Sequence, residues 1–144
     1  MENQNYSNHR RFAPLYHYVL TTLVTLIMIG AAVNLYKSIG DHERMYSADL
    51  ILSISIALQI GFYLMRAFSL KAQDRAIRAE ENLRHYVLTG KLLDIKLSPK
   101  QIVALRFASD EEFAALAKKT VESNMKPDDI KKEIKNWRGD YYRV

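Results

Sequence analysis

No cysteine occurs in the chain, which excludes disulfides and thiolate-ligated metals. Glycine is sparse. The five glycines are dispersed and cannot cradle a phosphate, and no P-loop, GxGxxG or GxSxG string or catalytic-triad order is present. The four histidines, His9, His17, His42 and His85, have no HxxxH or HExxH spacing, so no metal centre is legible. These absences point to a protein that is not an enzyme and carries no cofactor. The most informative absence is that of charge: between Arg11 and Lys37 there is no Asp, Glu, Lys or Arg.

That charge-free window, Phe12 to Tyr36, has 25 residues. At about 1.5 Å per residue it is long enough to cross a hydrocarbon core of about 30 Å. It also exceeds the ~7–15 residue core of a cleaved signal peptide. A cut after Gly30-Ala31-Ala32 would in any case leave a second span as anchor. The uncharged stretch of that second span, Leu50 to Met65, has only 16 residues. It needs Arg66 and Lys71 to snorkel their head groups to the interface. The mean hydropathy of −0.20 averages this apolar half with a charged half and conceals both.

Charge also orients the hairpin. Arg10 and Arg11 precede the first span, and Arg66, Lys71, Arg75 and Arg78 follow the second. The intervening loop holds Lys37 and Arg44 against Asp41, Glu43 and Asp49. The positive-inside rule then places both termini in the cytoplasm. The resulting organisation is an N-terminal arm (1–13), mobile or lying on a surface, a first transmembrane helix (14–36) and an external loop (37–46). A second transmembrane helix with a cytoplasmic extension (47–90) and a cytoplasmic tail (91–144) follow. Pro14 suits a first helical turn, Gly40-Asp41 breaks the chain in the loop, and Ser47 serves as the N-cap of the second helix.

Arg66 to Thr89 contains neither glycine nor proline. Ala72, Ala76, Ala79, Leu83 and Tyr86 recur there with helical period. The second helix is therefore expected to run out of the bilayer as a stalk ending at Gly90. Its apolar stripe suits either the docking of the chain's own tail or a parallel seam with a second copy. Glu80 and Arg84 are placed for an i,i+4 pair. In the tail, Lys91–Leu97 reads as an extended linker packed on one side through Leu93, Ile95 and Leu97, or as a very short strand. Ser98–Gln101 and Ser109–Glu112 read as capping boxes opening helices near 99–108 and 110–123. A third helix is expected from Pro127 to about Arg138, with Ile130, Ile134 and Trp137 on one face. The fold class is all-α: a transmembrane hairpin, a stalk, and a small bundle of two or three short helices.

The strings NYSNH (Asn5–His9), YVLTGK (Tyr86–Lys91), ALRFASDEE (Ala104–Glu112) and IKKEIKNWRGDYYRV (Ile130–Val144) resemble an uncharacterised family of small two-span bacterial membrane proteins. The family is known only as a domain of unknown function. The resemblance implies the two-span topology and a bacterial source, and it brings no activity or site residue with it.

Three residue sets are candidates for function. Ser55, Gln59, Tyr63 and Arg66 share one face of the second span and form either inter-helix glue or the lining of a path. His17, Thr21 and Thr25 make a similar line on the first. Arg10, Arg11, Arg66, Lys71 and Arg75 suit anionic lipid headgroups. Phe107, Phe113, Leu116, Ile130, Ile134 and Trp137 form the core of the tail or a face for a partner, since some 54 residues bury little surface alone. Lys131, Lys132, Lys135 and Arg138 interleave with acids, so nucleic acid is not expected. No small-molecule substrate is apparent.

The function these features favour is that of a membrane-anchored accessory or scaffold protein of the bacterial inner membrane. It would bind a protein partner or itself through its cytoplasmic helices. The alternative is a small oligomeric channel or transport component using the polar face of the second span.

Overall fold

The computed structural model describes residues 4–142, and these form five helices without a strand. They divide into two compact units. One runs from Phe12 to Ser69, and the other joins the described residues up to Arg11 with those from Leu70 onward.

In the first unit, helix α1 (Leu15–Lys37) follows Pro14 and opens with a π-helical stretch, Leu15–Leu20. The wide turn closes where the Thr21 hydroxyl donates to the Tyr16 carbonyl at 2.9 Å. Helix α2 (His42–Thr89) begins five residues before Ser47, the N-cap expected from the sequence. Asp41 takes that place: its carboxylate accepts the Arg44 N–H at 3.2 Å and its carbonyl accepts that of Met45 at 2.9 Å. Ser47 lies within the first turns and donates to the Arg44 carbonyl. The connection shrinks to a turn in which Gly40 adopts φ +94°, a left-handed conformation that suits glycine.

The buried positions of this hairpin recur every seven residues: Val24 and Ala31 on α1 and Ser38 as its C-cap, Ala48 and Ser55 on α2. Seven-residue spacing is the signature of left-handed helix pairing, and small residues allow the backbones to approach. Both helices are long and apolar enough to cross a membrane, yet only 11% of each apolar window is buried. A core helix of a water-soluble fold would be mostly covered. Here Leu23, Leu26, Ile54, Leu58 and Ile60 face outward instead.

In the second unit, α2 continues to Thr89, where Gly90 takes φ +74° and donates its N–H to the Tyr86 carbonyl at 2.8 Å. The chain then turns rather than extends. Asp94 accepts from the backbone of Lys96 and Leu97, which buries Leu93 and Leu97 but leaves Ile95 90% exposed. The one-sided linker expected through all three residues is thus broken by an Asx turn. Helix α3 (Pro99–Leu105) has a complete capping box. Ser98 Oγ accepts from the Gln101 N–H at 3.3 Å, and Gln101 Oε1 accepts from that of Ser98 at 2.8 Å.

Helix α4 (Asp110–Ser123) starts after Ser109 and ends at Asn124, which is left-handed with φ +45°. The second capping box does not form. Glu112 instead accepts from the N–H groups of Lys135 and Asn136, at 3.2 and 2.9 Å. Those groups need an acceptor because helix α5 (Pro127–Glu133) stops well short of Arg138. Ile134 is extended, and the segment after it pairs with residues 107–109. Ser109 N–H donates to the Asn136 carbonyl at 3.0 Å and Arg138 N–H to that of Phe107 at 2.7 Å. Ile134 and Trp137 therefore reach the core from an extended strand-like segment, not from a helix face.

The core gathers Leu97, Ile102, Leu105, Phe107, Phe113, Leu116, Ile130 and Ile134, with Trp137 at its edge. Replacing Phe113, fully buried, by alanine is expected to cost about 3–5 kcal/mol. Denaturant titration of the detergent-solubilised protein, followed by fluorescence of its one tryptophan, Trp137, measures this loss.

Candidate functional site

The stalk contributes Ile77, Glu81 and Arg84 to the second unit, at i, i+4 and i+7 on one side of α2. Arg84 is the most heavily used. It donates to Glu81 at 3.0 Å, to Asp110 at 2.7 Å and to the Ala108 carbonyl at 2.7 Å. Its guanidinium also lies 4.3 Å from the centroid of the Phe113 ring. One side chain thus joins the stalk, the start of α4 and the core. Glu80, placed by spacing for this arginine, is exposed, and Glu81 takes the contact instead. Glu81 also lies 3.8 Å from Arg138. Burial raises the Glu81 carboxyl above its ordinary value, and the two arginines only partly offset this.

A second charged pair sits beside the first. Arg106 is buried against Phe107 at 4.3 Å and donates to Asp140 at 2.9 Å and to the Val103 carbonyl at 2.8 Å. Gln4 completes it from the N-terminal arm, exchanging two hydrogen bonds with the Asp140 backbone at 2.9 and 3.2 Å. Farther along the arm, His9 is buried, 5.8 Å from the Phe107 ring and 5.7 Å from Trp137. Arg11 donates to the Tyr141 carbonyl. The arm, expected to be mobile or to lie on a surface, is an integral part of the tail over residues 4–11, whereas Phe12 and Ala13 belong with the first unit. Residues 1–3 of that expected arm lie outside the described residues.

A cavity of about 580 Å³ opens where stalk and C-terminal segment meet, lined by Gln73, Ile77, Glu81, Arg106, Arg138 and Asp140 among others. The buried Oε1 of Gln73 makes no hydrogen bond. The buried charges of the wall are paired with one another. Among the described residues, no three His, Asp or Glu side chains converge to hold a metal ion.

The other sequence candidates are only partly brought together. Ser55 is buried and donates to the Leu52 carbonyl of its own helix at 2.7 Å. Gln59 is half-buried with its Oε1 unpaired, and Arg66 lies 5.5 Å from the Tyr16 ring. Tyr63 is 71% exposed and leaves that face. Phe62 replaces it, stacked on Tyr16 at 4.6 Å and accepting the Tyr16 hydroxyl at its carbonyl. The reason is helical pitch: a face followed over three turns drifts, and an i+8 position lies farther off it than i+7. On α1, Thr21 and Thr25 bond to their own helix, as does His17 to Ala13. Arg10, Lys71 and Arg75 are exposed. Phe107, Phe113, Leu116, Ile130, Ile134 and Trp137 pack within the tail.

Sequence reasoning missed the arm and the paired charges of the stalk. The i,i+3 spacing of Glu81 and Arg84 was a usable signal. Nothing local pointed to His9 or Asp140.

Folded Glu81 holds its proton more tightly than the unfolded chain does, so this group costs stability as pH rises above 4.5 through its raised value. Glu81→Gln is expected to gain on the wild type over that window, read from unfolding midpoints at successive pH values. Arg84→Met strips a buried carboxylate of its nearest partner and is expected to cost about 3–5 kcal/mol near neutral pH, with a smaller loss in acid where Glu81 is protonated.

Residues 1–144 match the family of unknown function DUF6526. Among curated proteins and among solved structures, none matches the chain.

Proposed function

We propose that this chain, which belongs to the DUF6526 family of unknown function, is a non-enzymatic, membrane-anchored accessory or scaffold protein of the bacterial inner membrane. It crosses the bilayer twice through α1 and α2, keeps both termini in the cytoplasm, and presents its C-terminal helices there to a protein partner or to a second copy. The observation that carries this reading is that α2 supplies both an outward-facing apolar span and the stalk face on which the tail is built. The docking of Gln4, His9 and Arg11 onto the tail supports a shared side for the two ends of the chain. Arg10, Arg11, Arg66, Lys71 and Arg75 favour the cytoplasmic side by the positive-inside rule and by contact with anionic headgroups.

Because the chain has no cysteine, single cysteines report topology without background. In intact spheroplasts, Ser7→Cys and Ser123→Cys are expected to resist a membrane-impermeant maleimide until lysis, whereas His42→Cys reacts at once. Labelling of Ser7→Cys or Ser123→Cys before lysis overturns the orientation.

The unpaired Gln59 oxygen in the hairpin favours one second reading, that of an oligomeric channel or transport component. It expects ion flux in liposomes that changes with Gln59→Leu. Flux that is absent, or indifferent to that change, removes this reading.

A further inference from the structure

The tail docks on α2 through Ile77, Glu81 and Arg84, while Ala76 and Glu80 border the cavity beside residues 138–142 and Leu83 and Val87 border Asp110. Leu83, Tyr86 and Val87 are 64%, 53% and 75% exposed, with Ala72, Ala76 and Ala79 continuing the stripe towards the N-terminal end of the stalk. Of the two occupants the stripe suits, the chain's own tail borders one flank and leaves Leu83, Tyr86 and Val87 largely uncovered. Written as heptads, Ala72, Ala76, Ala79, Leu83 and Tyr86 fill successive d and a positions. Ile77, Glu81 and Arg84 fall at b and f, off the seam.

Charge beside the stripe selects between partners. Arg75 occupies a g position and Glu80 the e position five residues on, and both are exposed. In a parallel pair of helices a g residue meets the e residue of the following heptad on the other chain. Arg75 of each copy then faces Glu80 of the other, twice by symmetry. Glu80 is also released for this role, because Arg84 is engaged by Glu81 and Asp110.

We propose that two copies of this chain pair in parallel through the Ala72–Tyr86 face of α2, with reciprocal Arg75–Glu80 contacts setting the register. The proposal rests on the membrane-anchored reading above. Copies inserted in one sense present their stalks in parallel, and confinement to one bilayer raises their effective concentration. That confinement compensates for a seam of about two heptads, shorter than the three or four a free coiled coil needs.

Disulfide trapping of the full-length protein in native membranes tests this. Under mild oxidation Ala79→Cys is expected to yield a species of twice the chain mass, and Arg78→Cys, off the seam, is not. In the Ala79→Cys background, Arg75→Glu and Glu80→Arg are each expected to lower the dimer yield about tenfold. The double charge exchange restores it, and Arg78→Glu leaves it unchanged. Equal trapping at positions 78 and 79, no trapping, a product of another mass, or failure of the double exchange to restore the yield overturns the proposal. The labelling of Ser7→Cys and Ser123→Cys tests the membrane reading separately. A correctly oriented chain that gives no dimer therefore removes the seam alone.

Discussion

The Arg84 guanidinium joins elements that are far apart in the chain. Its five N–H groups are divided among a stalk carboxylate, the first residue of α4 and a backbone carbonyl just before that helix, while its flat face covers Phe113. A lysine could supply the charge but not this fork, nor the stacking on the ring. Burying Glu81 is unfavourable by itself, as its raised protonation range shows. Arg84 and Arg138 make that burial tolerable, and the direction and reach of the pair define where the tail sits on the stalk. Such pairs add little net stability over apolar residues, but they penalise every arrangement in which one member is left behind.

The rest of the second unit follows from that attachment. With Ala108 and Asp110 held against the stalk, residues 107–109 are presented to the chain after Ile134, which pairs with them instead of extending α5. Glu112 is drawn away from its own helix start to satisfy the two N–H groups that this exposes. Phe107 is brought into the core, where Trp137 and His9 close over it. One side of α2 is consumed in this way, and an exposed apolar stripe flanked by Arg75 and Glu80 runs alongside it. The division of labour around a single helix gives the two proposals, an accessory role and a seam, a common physical origin.

Much of the architecture was legible because it depends on local pattern. The charge-free window, the absence of helix breakers through the stalk, Gly90 at its end, and the Ser98–Gln101 box each concern neighbouring residues, and the structure contains them all. The family resemblance was legible for the same reason, being carried by short contiguous strings. Errors arose where two local signals competed. Ser47 and Asp41 are both good caps, and Asp41 prevails because nothing between them breaks a helix. Ile130, Ile134 and Trp137 have helical spacing, yet backbone pairing with residues 107–109 overrides it. Tyr63 was assigned to the inner face of α2 by spacing that the pitch of the helix does not sustain over eight residues.

The sequence by itself determined the helical class, the two apolar stretches, the continuous stalk and the composition of the tail core, since each is set by periodicity, charge and breakers within a few turns. Only the tertiary structure decided which side of the stalk receives the tail, that residues 4–11 of the N-terminal arm pack on the tail, that Arg84 reaches the Ala108 carbonyl, and that Arg106 is buried against Asp140. These are pairings between residues some 24 to 136 positions apart. No local rule reaches so far, because a charged side chain looks solvated in sequence until the fold supplies its partner.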